Sequence, residues 1–284
     1  MAPSTQSAHP LQTLRETTQA LEAAILVCLN KPDKAAVHRI RTTTRRIEAQ
    51  LELFAMLPHL PPHRKEAREA LRLLKKLRRA AGQVRDLDVQ RDLVGNEATS
   101  RNGHSRPTAE LRKEASALTR TLKRKRDQEA AHLQQLLKKH RAEFPLVFEK
   151  LLDALAPAAS LTLTETRLIA LIRQWYAGHT PRSASIPRDH TQLHDIRKRA
   201  KLARYLAESA PKSAAAARRL AAHFEALQQA GGKWHDWLLL ADLSSTELGN
   251  SAELPQRFSA HADTSLCEFK RRLSQPATQH SKAA

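Results

Sequence analysis

Apolar and polar positions alternate along most of this chain at steps of three and four residues, the period of an amphipathic helix. Almost no segment shows the period of two that marks a strand. The pattern predicts helices over about 11–29, 33–57, 62–81, 84–94, 108–140, 145–155, 164–176, 190–209, 212–230, 233–243 and 255–273. The segment 33–57 is the clearest. Asp33 can cap its start by accepting backbone N–H bonds. Val37, Ile40, Thr44, Ile47, Leu51 and Phe54 then make one buried face, and Pro58, Pro61 and Pro62 stop the helix. In the next helix Ala67, Ala70, Leu71, Leu74 and Leu77 point inward, and Gly82 is placed as a left-handed C-cap. Exposed loops are expected at Gly95–Pro107 and around Gly178–Pro187, and a disordered tail over about 275–284. The fold class that follows is all-α. Composition supports it: only 7 Gly occur, and good helix formers dominate.

The chain also repeats itself. His38-Arg39-Ile40-Arg41 leads to Arg45, and His194-Asp195-Ile196-Arg197 leads to Lys201, an offset of 156 residues (194 − 38). Gly82-Gln83-Val84-Arg85-Asp86 matches Gly232-Lys233-Trp234-His235-Asp236 at an offset of 150 (232 − 82). Each half thus holds a basic helix, a second helix, a glycine and an (Arg/His)-Asp pair. The expectation is a single domain over 1–284 with repeats at about 11–157 and 160–274. The two helical bundles would pack about a pseudo-two-fold axis with their basic helices facing each other.

Charge then changes the picture. Lys and Arg number 48 against 29 Asp and Glu, a net charge of +19. Such an excess points to a polyanionic partner, with a merely solubilising surface as the alternative. His38, Arg41 and Arg45 share one helix face; His194, Arg197, Lys201 and Arg204 share another, with Lys198 at its edge. Each row lies one residue beyond an apolar row, so it borders the buried stripe, where long stems pack and charges lose part of their water. Like charges stacked at this spacing weaken a helix by a few tenths of a kcal/mol per pair. A polyanion lying between the rows would turn that repulsion into attraction. Arg suits the task, since its planar fork grips two phosphate oxygens at once. Arg72, Lys75 and Arg79 follow the same spacing on the third helix. Arg120, Lys123, Arg124 and Arg126 crowd 108–140 and read equally as solvent-facing.

His38 and His194 admit three readings: boundary residues, phosphate donors when protonated, or metal ligands. Neither row supplies an acidic residue at ligand spacing, and its cations would repel a metal. Asp86, Asp88 and Asp236 are the carboxylates in or near matched positions. They read as caps or as partners of the basic rows. Aromatic residues make up only 4% of the chain and none alternates with the basic rows, which weakens a base-stacking role. Cys28 and Cys267 are far apart without CxxC spacing; Cys28 lies in an apolar run and reads as core. Met1–Pro10 carries no secretory apolar region, and the apolar run Ala23–Leu29 is too short to span a bilayer. The chain reads as cytosolic with no membrane role.

The stretches VHRIRTTTRRIEAQLELF from Val37, LKKLRRAAGQVRDLDV from Leu74, LHDIRKRAKLARYLAE from Leu193 and LQQAGGKWHDWLLL from Leu227 resemble the CHAD domain, the conserved histidine α-helical domain. The resemblance implies two four-helix subdomains around a basic central channel that binds inorganic polyphosphate. It also implies association with polyphosphate granules in bacterial members. It places ligand contacts at His38, Arg41, Arg45, Lys75, Arg79, His194, Arg197, Lys198, Lys201 and Arg204; the spacing argument adds Arg72. At the 150-residue offset Lys75 and Arg79 meet Glu225 and Gln229, so the stronger grip is expected in the first half. The Glu-x-Glu-x-Lys strand of a triphosphate-tunnel domain is absent, as in a stand-alone member. No catalytic residue, cofactor or metal is assigned. Low-specificity nucleic-acid binding, metal-dependent phosphate processing and metal storage through the His pair stand as alternatives. GxxxxGK[ST] is absent and no acidic cluster is evident, which counts against the enzyme.

Overall fold

A computed structural model of the chain describes residues 7–99, 108–180 and 189–275. Its nine described helices are α1 (Pro10–Asn30), α2 (Lys34–Met56), α3 (Arg64–Thr99), α4 (Ala109–His140), α5 (Glu143–Leu155), α6 (Glu165–His179), α7 (His190–Ala207), α8 (Ala215–Leu248) and α9 (Glu253–Leu273). The all-α fold class holds. One short antiparallel pairing joins β1 (Ser7–Ala8) to β2 (Leu163–Thr164), tying the start of the described chain to the entrance of α6.

Helix starts follow the expected chemistry. Asp33 accepts from the Ala36 N–H at 2.9 Å, and Thr108, Thr164 and Asp189 do the same for α4, α6 and α7. The first residues of α8 and α9 find their acceptors on other helices. Glu165 accepts from the Ala217 N–H at 2.8 Å, and Glu114 accepts from the N–H groups of Glu253 and Leu254. A carboxylate near a helix N-terminus also meets the positive end of its dipole, so these side chains fix how neighbouring helices abut.

Two expectations fail at glycines. Gly82 does not end a helix: α3 runs without a break from Arg64 to Thr99, joining the two helices expected at 62–81 and 84–94. Gly231 and Gly232 likewise lie inside the continuous α8, where a break between 230 and 233 was expected. The apolar row explains the continuity, since Leu74, Leu77, Ala81 and Val84 are buried on both sides of Gly82. Close approach explains the glycines. A Cβ on Gly82 would stand 2.8 Å from Arg41 Nη1. One on Gly231 would stand 2.9 Å from the Phe269 ring and 3.0 Å from Arg197 Cγ. Residues 95–99, expected as loop, belong to α3; residues 100–107, 181–188 and 276–284 lie outside the described residues.

The core is shared across the halves. Leu14, Leu21, Ile40, Ile47, Phe54, Leu74, Leu77, Leu133 and Phe148 build one cluster from α1 to α5. Leu168, Ile172, Tyr205, Leu206 and Phe224 build a second, which also takes in Ala49 and Leu53 of α2. A third joins Val94 and Leu118 to Trp237 and Phe258, where the long helices α3, α4, α8 and α9 meet. α2 was expected to bury one face, but its second half is buried nearly all round because α1 and α3 cover one side and α7 the other. Cys28 is core, and burial pushes its thiol up to about 11. Among the described residues no helix is long and apolar enough to cross a membrane.

The two glycine contacts differ in kind and can be separated. Gly231→Ala should destabilise the protein by about 1–3 kcal/mol, because a packed ring must move. Gly82→Ala should stay within about 1 kcal/mol of wild type, because only the mobile end of Arg41 must shift while helix propensity improves. Urea denaturation of both variants checks the difference.

Candidate functional site

α2 and α7 pack directly on each other, and their two basic rows meet. His38, Arg41 and Arg45 come from α2; Arg197 and Lys201 come from α7. Their mutual influence shows how close they are. Burial, then Arg41, Arg45 and Arg197, push the Lys201 ammonium down to about 7. Partial desolvation, then Arg85, Lys201 and Arg41, lower the His38 imidazole. Burial also lowers Arg197, with Arg41 and Arg45 acting in the same direction. Cations from four separate turns of chain thus share one partly dehydrated space.

The two long helices complete the cluster. Asp86 of α3 forms an ion pair with Arg41, Oδ1 to Nη2 at 3.4 Å. Asp236 of α8 lies in the field of Arg197, Arg41 and Arg85. Burial and the nearby Asp86 nevertheless hold its carboxyl up at about 6. The two halves are alike here: Arg41 crosses Gly82, four residues before Asp86, and Arg197 crosses Gly231, five residues before Asp236. Both aspartates are mid-helix, so neither is a cap; Asp86 pairs with Arg41, and Asp236 is buried in the field of the cations. Asp88 belongs elsewhere, hydrogen-bonded to Arg126 at 3.2 Å in the wall of another cleft.

The histidines hold the second edge. The rings of His194 and His235 lie 4.7 Å apart between centroids. Burial and neighbouring cations lower His194 to about 4 and His235 to about 3. Both are therefore neutral at physiological pH. Arg197 Nε is buried and meets no acceptor among the described residues, a costly condition for a charged donor.

Other expected site residues are placed differently. Arg45 bonds Glu48, which also receives Arg78 at 2.7 Å. Lys198 is exposed and pairs with Asp195 at 3.1 Å. Arg204 is engaged by Glu208, Glu225 and Gln228. Glu225 was expected to weaken the second half by position, and here it also occupies Arg204, the last residue of that half's basic row. Arg72, Lys75 and Arg79 are exposed. Lys75 and Arg79 share the α3 face of Gly82 and Asp86, by steps of four, three and four, so they prolong the site by roughly 10 Å along that helix. Arg120, Lys123 and Arg124 are exposed on α4, while Arg126 is tied to Asp88 and the Pro32 carbonyl.

Arg85, His235 and Asp236 were missed as site residues. The signal was there in the matched (Arg/His)-Asp pairs. Reading the glycines as helix stops hid it, because it placed those pairs at the start of new helices rather than beneath Arg41 and Arg197.

Comparison with known families decides the relationship. The CHAD domain matches residues 11–244, well over half of the chain. The chain belongs to the CHAD family. Among solved structures, PptA from Streptomyces chartreusis superposes with a TM-score of 0.63 at 14% identity, covering 94% of this chain and 98% of that one. The CHAD domain from the plant Ricinus communis superposes with a TM-score of 0.62 at 16% identity, covering 98% and 91%. At such identities the superpositions establish a shared fold. No curated protein matches by sequence.

The crowding at Lys201 has a measurable consequence. A depressed ammonium costs no stability well above pH 10.5, its ordinary value, and progressively more as pH falls towards about 7, because the unfolded chain binds the proton first. Lys201→Met should therefore raise Tm relative to wild type, by an amount that grows from pH 10.5 down to about 7 and then levels off. Thermal denaturation across that range checks the sign.

Proposed function

We propose that this CHAD domain binds inorganic polyphosphate in a basic central channel between α2 and α7. The observation that carries the reading is the meeting of two cationic rows in one partly dehydrated cluster. A chain of phosphates offers each row what it lacks: closely spaced negative charge and oxygen acceptors. Arg41 and Arg197 supply the forks, and Arg45 and Lys201 add charge behind them. His38 and His194, neutral in the free protein, become donors on both ring nitrogens once phosphate raises their basicity. Lys75, Arg79 and Arg72 lead the chain outward along α3, while Lys198 and Arg204 join by exchanging their carboxylate partners for phosphate.

The role is binding rather than catalysis. Asp86 is held by a guanidinium, and Asp236 is surrounded by cations, so the cluster attracts anions and repels the metal ions that phosphate-transfer chemistry generally uses. Association with polyphosphate granules in the cytoplasm follows from the same affinity. Aromatic platforms for bases are missing from the cluster, so nucleic acid should compete poorly.

Titration of labelled long-chain polyphosphate tests this. Wild type should bind with an affinity that falls steeply with salt, as counterion release requires. Arg41→Ala/Arg197→Ala should weaken binding by about 100-fold or more, since each charge-assisted hydrogen bond contributes about 1.5–3 kcal/mol. Equal binding by the variant would remove the proposal, and tighter binding of DNA at the same salt would favour the nucleic-acid reading.

A further inference from the structure

Along the first half of α3 the exposed cations fall on one side. Arg64, Lys65, Arg68, Arg72, Lys75, Lys76 and Arg79 are all exposed. At 3.6 residues per turn they share about 120° of the helix surface. Glu66 and Glu69, the acidic residues of this segment, lie beside that ridge rather than within it. Arg78, which turns inward, is matched by Glu48 at 2.7 Å, whereas none of the outward cations forms an ion pair among the described residues. Like charges at steps of three and four repel and weaken a helix, so folding does not explain the ridge.

The second half shows that the same core packs without it. At the 150-residue offset the buried residues of α3 and α8 correspond: Ala70 with Leu220, Leu74 with Phe224, Leu77 with Leu227. The ridge positions do not. Ala214, Ala215, Ala222 and Ala226 take the places of Arg64, Lys65, Arg72 and Lys76, and Glu225 and Gln229 those of Lys75 and Arg79. Only Arg218, at the position of Arg68, keeps its charge. The ridge is also continuous with the central cluster. Its inner end, Lys75 and Arg79, shares the α3 face of Gly82 and Asp86, where Arg41 arrives. Its outer end, Arg64, lies about 22 Å from Arg79 along the axis. That end is the N-terminus of α3, where the helix dipole adds positive potential.

Resting on the polyphosphate reading of the central cluster, we infer that the α3 ridge is a track for the part of a long polyphosphate chain that lies outside the cluster, with Arg64, Lys65, Arg68 and Lys76 as its further contacts. The chain leaves along α3 and not along α8, which offers no such face. Chain length then sets affinity. An anion short enough to stay in the cluster makes none of these contacts, and a long one makes all of them. The track suits a polymer of bare phosphates: it offers closely spaced charge, and no aromatic residue lies between Arg64 and Arg79 to stack a base.

Two variants with the same loss of charge test this. The ridge variant is Arg64→Gln/Lys65→Gln/Arg68→Gln/Lys76→Gln. The control is Arg120→Gln/Lys123→Gln/Arg124→Gln/Lys138→Gln, on the outer face of α4. Every substituted position is exposed, and the Tm of the ridge variant should equal or exceed that of wild type, because like-charge repulsion is relieved. With labelled long-chain polyphosphate at fixed salt, the ridge variant should bind about tenfold or more weakly than wild type. The control should stay within about twofold, since exposed charges off the track are screened. The slope of log K against log salt should be shallower by about 3 in the ridge variant, taking roughly 0.7 for each of four lost contacts as for single strands. Tripolyphosphate should bind the ridge variant and wild type alike. Equal long-chain binding by the ridge variant and wild type overturns the inference. So does equal weakening by both variants, or a loss of tripolyphosphate binding as large as that of the long chain. Loss of single-stranded DNA or of anionic phospholipid vesicles by the ridge variant, with long-chain polyphosphate affinity unchanged, overturns it as well and gives the face to that partner. In each of these outcomes polyphosphate binding at the central cluster stands. Absence of polyphosphate binding by wild type overturns the functional proposal and this inference with it.

Discussion

Repulsion between like charges across the α2–α7 contact is the constraint to which the rest of the structure answers. Arg41, Arg45, Arg197 and Lys201 are brought together with part of their hydration removed, and the Lys201 ammonium registers the strain most clearly. No helix gains stability from such an arrangement. Packing must offset it, and α2 shows how. Its apolar residues are shared between two clusters, Ile40, Ile47 and Phe54 facing one way and Ala49 and Leu53 the other. The helix that carries the first cationic row is therefore fixed from both sides.

Two small devices make the crowding tolerable. Gly82 and Gly231 remove a Cβ where Arg41 and Arg197 cross the long helices α3 and α8. A glycine inside a helix costs about 1 kcal/mol relative to alanine, and here that cost gives each arginine a defined path. Asp86 and Asp236, a turn further on, supply partial neutralisation. Outside the cluster, Glu48 takes up Arg45 and Arg78, and Glu208 and Glu225 take up Arg204. In the second half Glu225 stands at the position of Lys75 and holds Arg204, while Lys75 and Arg79 of the first half are exposed.

Much of this was legible beforehand because it depends on periodicity. The three-and-four spacing of Val37, Ile40, Ile47, Leu51 and Phe54 defines α2, and the basic row one residue beyond it has to flank the packed face. That the row of α7 would meet it came from the repeat. Long-range pairing was less legible. Glu165 and Glu114 serve helices far away in sequence, and no local pattern announces them. Gly82 and Gly231 were misread because a glycine near a plausible helix end is usually a terminator. Only tertiary packing reveals that an arginine from another helix needs the space. The same error concealed Arg85, His235 and Asp236.

The central claim is that a phosphate chain lies between the two cationic rows. A crystal structure of the protein grown with polyphosphate tests it most directly. The account predicts continuous density between α2 and α7, in contact with Arg41, Arg45, Arg197 and Lys201. Ordered polyphosphate along the outer face of α4, against Arg120, Lys123 and Arg124, with none between α2 and α7, would contradict it.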